Sequence, residues 1–251
     1  MLVFVTQSSD GADNPGGFWH SRSAGVRREL IRLRAQAKKT ALRLKLNDEW
    51  RESKAGVTGR VYRDYEEYRE HQALKVEALR AKSLAGHDRR FYASLRERLA
   101  GYYGDFQGQK VLCLAARLGA EVRVFIDLGA FAVGIDLNPG RGNRYVVVGD
   151  FHALQFADDS VDVVYTNSLD HAFDLDRIMT EIGRVLRQDG RLIVELGRGT
   201  DHGTVAGFYE STSWKKVDDM IAVIGRHGFQ LERRRACGPR SNDEHLLLRK
   251  Q

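Results

Sequence analysis

Apolar positions change their spacing along this chain, and each spacing predicts a different element. Between residues 22 and 46, Val26, Leu30, Leu33, Ala37, Ala41 and Leu44 recur at three- and four-residue intervals, the period of an amphipathic helix. Its other face carries Arg27, Arg28, Arg32, Arg34, Lys38, Lys39, Arg43 and Lys45. Residues 1–20 show no such period and contain the turn signal Asn14-Pro15-Gly16-Gly17, so they read as a loose terminus. Residues 47–59 read as a polar linker containing two glycines, Gly56 and Gly59. Two more helices are expected over about 64–84 and 88–99, closed by Gly101 and Gly104.

Beyond residue 105 the pattern shifts to short apolar runs bounded by turn residues. Strands are predicted at 110–114, 131–135, 145–148, 161–166, 190–195, 229–235 and 244–249. Helices are predicted between them at 119–128, 175–186 and 214–227, the second presenting Ile178, Ile182, Val185 and Leu186 on one face. Strands alternating with helices give an α/β fold, a doubly wound and mostly parallel sheet, here behind a basic helical extension. The expected organisation is a loose segment 1–20, a helical cap 21–105 and an α/β domain 106–251. Ligands of such sheets bind at the carboxyl ends of the strands, so function is expected just after Leu114, Ile135, Val148, Thr166 and Glu195.

Composition narrows the classes. Hydrophobic residues make up 42% of the 251 and charged residues 29%, ordinary for a soluble globular protein. No run of 18 apolar residues exists to span a bilayer. The first residues lack a basic n-region, so they do not read as a secretory signal. Cys113 and Cys237 are too few for a disulfide framework or a four-thiolate zinc site and read as reduced thiols of a cytoplasmic protein. The formal charge of +6 is uneven, with −2 over residues 1–20, +10 over 21–100 and −2 over 101–251. The basic segment suits a nucleic-acid or anionic-membrane contact, a solvated face, or packing against a second copy in a homo-oligomer.

The strand ends carry polar chemistry. After the second strand of the α/β domain stands Asp136, able either to hold the hydroxyls of a ribose or to cap a turn. Asp150 and Phe151 follow the third strand, an acceptor for an amino group beside an apolar neighbour. Asn167, Ser168, Leu169, Asp170 and His171 follow the fourth.

The ordered set resembles the class I S-adenosylmethionine-dependent methyltransferases over about residues 108–250. Ser160-Val161-Asp162-Val163-Val164 and Arg184-Val185-Leu186-Arg187-Gln188-Asp189-Gly190 carry the closest match. The resemblance implies a seven-stranded Rossmann-like sheet and S-adenosyl-L-methionine as cofactor. It implies that Asp136 binds the ribose, that Leu137 lies against the adenine, that Asp150 meets the adenine amino group with Phe151 beside it, and that Asn167 and Ser168 flank the methionine portion. The first loop, with Ala115, Arg117 and Gly119, would pass beneath the cofactor. That loop departs from the family, because Cys113, Ala115 and Arg117 stand where an acidic residue and two glycines are usual. Arg117 could instead aim its guanidinium at the cofactor's carboxylate.

His171 stands where many family members place a histidine near the acceptor, and its ordinary pKa suits a general base. Asp170 beside it could bind a substrate hydroxyl or a divalent metal. Asp174 reads as a helix cap. Glu195, His202, Tyr209, Glu210 and Trp214 lie where the family's loops cover the substrate, and the Gly-rich stretch 197–203 reads as a lid. Asp170, His171, Glu195 and His202 match no recognised metal spacing, and no metal is assigned. No Pro-Pro-Tyr arrangement of amino-nitrogen methyltransferases follows the fourth strand. The expected reaction is therefore O-methylation of a small-molecule or sugar/glycan hydroxyl. Tyr62, Tyr65, Tyr68, His71 and Gln72 of the helical extension would cap the pocket. An RNA methyltransferase using the basic segment, and a catalytically inactive binding protein of this fold, are the alternatives.

Overall fold

In the computed structural model, which describes residues 49–80, 84–102, 105–238 and 241–251 with scattered positions between 29 and 46, two sheets share the chain. The loose segment 1–20, and much of the basic helix expected over 22–46, lie outside the described residues. The larger sheet has seven strands in the order β5-β4-β3-β6-β7-β10-β9. These are β3 (Lys110–Leu114), β4 (Phe131–Asp136), β5 (Val146–Val148), β6 (Val161–Thr166), β7 (Leu186–Gly197), β9 (Phe229–Ala236) and β10 (Asp243–Lys250). Five strands pair in parallel, whereas β10 runs antiparallel to both β7 and β9.

Alternation along the strands sorts side chains onto two apolar faces. Leu112, Leu114, Val164, Leu192 and Val194 face one side with helices α4 (Leu175–Val185) and α5 (Val217–Gly225), which contribute Ile178, Ile182, Val217 and Ile224. Val111, Cys113, Val163, Tyr165 and Ile193 face the other with α2 (Leu84–Tyr102) and α3 (Ala120–Asp127), through Leu95, Leu99, Val122 and Phe125. All of these side chains are at most 1% exposed, so each contributes on the order of 1.5–3 kcal/mol of burial when large and aliphatic or aromatic. The expected cap is present on α4, where the Asp174 carboxylate accepts from Arg177 N–H at 3.0 Å.

The smaller sheet corrects the expected linker. Residues 47–59 contain most of an antiparallel hairpin, β1 (Trp50–Lys54) and β2 (Val57–Arg60), and β2 pairs with β8 (Thr212–Trp214). Trp214 therefore ends a strand rather than opening a helix. The hairpin escaped sequence reading because its middle residues, Arg51, Glu52 and Ser53, are all exposed, leaving no period-two apolar signal. Its pairing partner also lies about 150 residues downstream. From the hairpin the chain enters α1 (Tyr65–Arg80), which crosses the carboxyl ends of the large sheet.

Close approach of backbones shapes that end. A Cβ on Gly134 would come within 2.7 Å of the Ala116 Cβ, so only glycine lets the loop after β3 lie against β4. Gly119, the N-cap of α3, sits at φ +82° with the Tyr145 Cβ 2.8 Å from where its own would be.

Candidate functional site

Three adjacent cavities that share lining residues lie across the ends of β3, β4 and β6, the switch point of the sheet. The first is walled by Asp136, Leu137 and Phe151 from the sheet side and by Tyr68, Gln72 and Lys75 of α1 above; its empty space, mouth included, is about 550 Å³. The middle one shares Ala115, Arg117, Ser168, His171 and Lys75 with the first and adds Asn167, Asp170 and Glu210. The last shares Asn167, Asp170 and Glu210, adds Glu195, Trp214 and Asp243, and encloses about 950 Å³ on the same basis.

The first loop keeps the turns that glycines would make. Ala115 lies at φ 54° and Arg117 at φ 44°, both in the left-handed region, at a cost of about 1–2 kcal/mol each for a residue with a Cβ. Hydrogen bonds hold this conformation: Ala116 N–H donates to the Ile135 carbonyl at 2.9 Å, and the Asn143 amide donates to the Arg117 carbonyl at 3.0 Å. Arg117 N–H donates to Asp136 Oδ2 at 3.1 Å, and Asn138 N–H donates to Oδ1 at 2.7 Å. A carboxylate accepts about four hydrogen bonds, so Asp136 keeps roughly one acceptor site on each oxygen, the arrangement a vicinal diol requires. Gly119 itself does not line the cleft; it turns the loop into α3.

Asp150 stands apart from the residues expected beside it. Its carboxylate accepts from His152 N–H and His152 Nδ1, both at 2.9 Å, and from the Tyr65 hydroxyl. Burial alone would raise its pKa, but these hydrogen bonds outweigh burial and hold it at about 2. It lines a separate pocket with Tyr65, Phe173 and Arg177, while its neighbours Gly149 and Phe151 line the main cleft. Physically, Asp150 is an anchor for α1.

At the far end, His171 Nδ1 hydrogen-bonds the Tyr209 carbonyl at 2.9 Å. A carbonyl only accepts, so Nδ1 carries the proton and Nε2 presents its lone pair inward, toward the Lys75 ammonium. Burial and then the Lys75 charge hold the imidazole well below its usual pKa, so it is neutral at physiological pH. Burial likewise lowers Lys75 to about 8, against the attraction of Asp170. Asp170 Oδ2 lies 3.7 Å from His171 Nε2, and burial raises the Asp170 pKa while Lys75 opposes the rise. Glu195 is drawn away from this group: Arg98 of α2 contacts its Oε1 through Nη2 at 2.6 Å and Nε at 3.1 Å. His202 sits exposed on the short turn Thr200–His202.

α1 and loop 207–211 close over the cleft, and of the five residues expected to cap it Tyr68 and Gln72 line it, while Tyr65 lines the separate pocket with Asp150. Tyr68 donates to the His171 carbonyl at 3.0 Å, and the Gln72 amide donates to the Tyr209 carbonyl and to Ser211 Oγ, both at 3.1 Å. Tyr62 bonds Ser211 Oγ at 2.7 Å and His71 Nδ1 at 2.8 Å. The Gly-rich stretch 197–203, read as a lid, is tied by Arg198 N–H to the Asn242 carbonyl at 2.9 Å and by Asp201 N–H to the Lys215 carbonyl at 3.0 Å. Sequence reading missed Lys75, Phe91 and Asp243. Lys75 carried a usable signal, since Tyr68, Gln72 and Lys75 are spaced by four and three and share one helical face.

Residues 110–194 match the family model described as a methyltransferase domain. The chain is similar to the malonyl-[acyl-carrier protein] O-methyltransferase of Methylococcus capsulatus, 46% identical over 55 residues, 22% of this chain and 20% of that protein. It is also similar to the demethylmenaquinone methyltransferase of Thermobifida fusca, 32% identical over 103 residues, 36% of this chain and 44% of that protein. The chain thus spans less than half the length of these curated relatives. Among solved structures, it superimposes on the 1,6-didemethyltoxoflavin-N1-methyltransferase of Burkholderia thailandensis, solved with S-adenosylhomocysteine. The TM-score is 0.62 at 15% identity, covering 81% of this chain and 99% of that one. An S-adenosylmethionine-dependent methyltransferase of Mesorhizobium loti gives a TM-score of 0.52 at 14% identity, covering 62% and 98%. The structural likenesses establish the fold. Residues 110–194 thus match a methyltransferase domain and sit in a fold shared with solved S-adenosylmethionine-dependent methyltransferases.

Proposed function

We propose that the chain methylates a hydroxyl of a small-molecule or sugar/glycan acceptor from S-adenosyl-L-methionine, with the acceptor seated at Asp170 and His171. One observation carries this reading: cavities that share walls extend from Asp136 to Asp170, and His171 lines the first two of them. The cofactor, when bound, supplies an electrophilic methyl group. Asp136 would hold its ribose, with Leu137 and Phe151 beside the adenine and Ala115, Arg117, Asn167 and Ser168 along the methionine portion. The protein's own task is to place an acceptor oxygen and to take up its proton. His171, neutral and fixed in one tautomer, offers an unprotonated nitrogen. Asp170 and Glu210 lie beside that nitrogen and oppose the Lys75 charge that holds it neutral, so an acceptor hydroxyl that displaced Lys75 would meet a basic nitrogen flanked by carboxylates.

The acceptor cavity argues for hydroxyls over phosphates. It is lined by Asp170, Glu195, Glu210 and Asp243, of which Glu195 is neutralised by Arg98. Such a cavity repels a polyanion and suits a polyhydroxylated ligand. That weighs against RNA as acceptor, and the retained left-handed turns of the first loop weigh against an inactive descendant. No described helix is long and apolar enough to cross a membrane. A cytoplasmic location belongs to this same reading. The test is incubation with methyl-tritiated cofactor and a panel of glycosides, polyols, amines and RNA. Transfer to a glycoside or polyol hydroxyl supports the proposal. Transfer confined to amines or RNA overturns it.

A further inference from the structure

We infer that Asp170, His171 and Glu210 form a divalent-cation site in which the Lys75 ammonium is the competing occupant. A carboxylate oxygen of Asp170, a carboxylate oxygen of Glu210 and a ring nitrogen of His171 all lie within 4.8 Å of one another. At metal–ligand distances of about 2.0–2.6 Å, ligand atoms on one ion stand roughly 3–5 Å apart, so the three are spaced as ligands of a single ion are. Two oxygens and one imidazole nitrogen suit a first-row divalent ion of the manganese-to-zinc group.

Three further observations point to a cation at this position. Among the described residues, Asp170 Oδ1 and Glu210 Oε2 are buried yet meet no hydrogen-bond donor, which is costly unless a cation or bound ligand completes them. His171 is already set in the tautomer of a ligating histidine: its Nδ1–H is spent on the Tyr209 carbonyl, and Nε2 faces the carboxylates. Finally, a positive group from α1 already rests there, since Lys75 donates to the same Nε2. That ammonium hydrogen-bonds the histidine and not the two orphaned carboxylate oxygens, and the Arg117 guanidinium on the same cavity wall acts on Asp170 without hydrogen-bonding it. Asp170 and Glu210 border both the middle and the last cavity, the boundary between cofactor side and acceptor side.

The catalytic use of the ion rests on the methyl-transfer reading; its binding does not. Bound there, it would ligate the acceptor oxygen and lower that hydroxyl's pKa. His171 would then act as a ligand. The hydroxyl proton would pass to solvent, the oxygen would bond to the methyl carbon, and the methyl–sulfur bond would break with its electron pair left on sulfur.

The test is titration of the chelator-treated full chain with Mn²⁺, followed by electron paramagnetic resonance and calorimetry. One saturable Mn²⁺ per chain is expected. Glu210→Gln and Asp170→Asn should each weaken it by at least about 100-fold, a ligand mattering no less than the outer-shell partners whose loss costs 10–100-fold. Lys75→Met should tighten it by at least about tenfold, because a neighbouring positive charge is removed. That gain of binding cannot arise from misfolding. A parallel titration with S-adenosylhomocysteine separates the two readings. S-adenosylhomocysteine binding without Mn²⁺ binding in either wild type or Lys75→Met overturns the cation site. Mn²⁺ binding lost in the Glu210 and Asp170 variants supports the site even if the cofactor product does not bind.

Discussion

Removing the Arg98 guanidinium should cost more stability than almost any other single change outside the apolar core. Both partners of the Arg98–Glu195 pair have side chains 9% exposed, and the closest contact is 2.6 Å. The pair bolts α2, the last described helix before the α/β core, to the carboxyl end of β7. Arg98→Met keeps most of the aliphatic stem but leaves the Glu195 carboxylate, whose side chain is 9% exposed, without its closest cation. Breaking a buried pair in this way costs about 3–5 kcal/mol. At 2–4 °C per kcal/mol for a domain of this size, the melting temperature should fall by about 6–20 °C. The sign of the pH dependence follows. Burial already raises the Glu195 pKa against the pull of Arg98, and without Arg98 it rises further. The folded variant then holds a proton that the unfolded chain has released, so its stability falls as pH rises above the ordinary carboxylate range. The deficit relative to wild type should therefore be larger at pH 8 than at pH 5. Adding Glu195→Leu should recover most of the loss, since an apolar replacement of both partners is often neutral. Thermal unfolding followed by circular dichroism at the two pH values tests all three statements. A melting shift below about 1 °C for Arg98→Met at pH 8 would refute the argument.

Asp136→Ala removes both oxygens proposed to hold the ribose, each worth a charge-assisted hydrogen bond of about 1.5–3 kcal/mol, so affinity for S-adenosylhomocysteine should drop by roughly two to four orders of magnitude in calorimetric titration. Glu121 is 5% exposed and burial raises its pKa from 4.5 to about 8. The folded state thus keeps a proton that the unfolded state loses, and stability falls through that window. Glu121→Gln should be more stable than wild type by about 3 kcal/mol at pH 7 and show a flatter pH profile in urea unfolding. Asp174→Ala should cost about 1 kcal/mol, measured the same way, because the carboxylate that accepts from Arg177 N–H is lost. His171→Gln should leave S-adenosylhomocysteine affinity within about threefold of wild type, since none of the residues proposed to hold the cofactor is His171, while turnover falls at least about 100-fold.

The parts of this molecule legible in the sequence are those whose physics is local. Runs such as Val111–Leu114 and Val161–Thr166 announce strands because both faces of the sheet are covered. Asp174 announces a cap because a helix begins directly after it. Residues whose roles depend on distant partners were read less well. Arg51, Glu52 and Ser53 carry no signal for a strand that pairs with a segment adjoining residues 212–214. Asp150 sits at the expected strand end, yet a tyrosine from α1 claims its carboxylate. Lys75 shares a helical face with Tyr68 and Gln72, but only the docking of α1 brings that face onto His171. The first loop is the instructive case. Its sequence departs from glycine at residues 115 and 117, and its backbone nevertheless adopts both left-handed turns, because hydrogen bonds to Asp136, Ile135 and Asn143 hold them there.

Calorimetric titration of the purified chain with S-adenosylhomocysteine tests the central claim most directly. A single site with a Kd of about 1–100 μM, abolished by Asp136→Ala, is the predicted result. Heat no greater than dilution at about millimolar ligand, from protein shown to be folded, would contradict it.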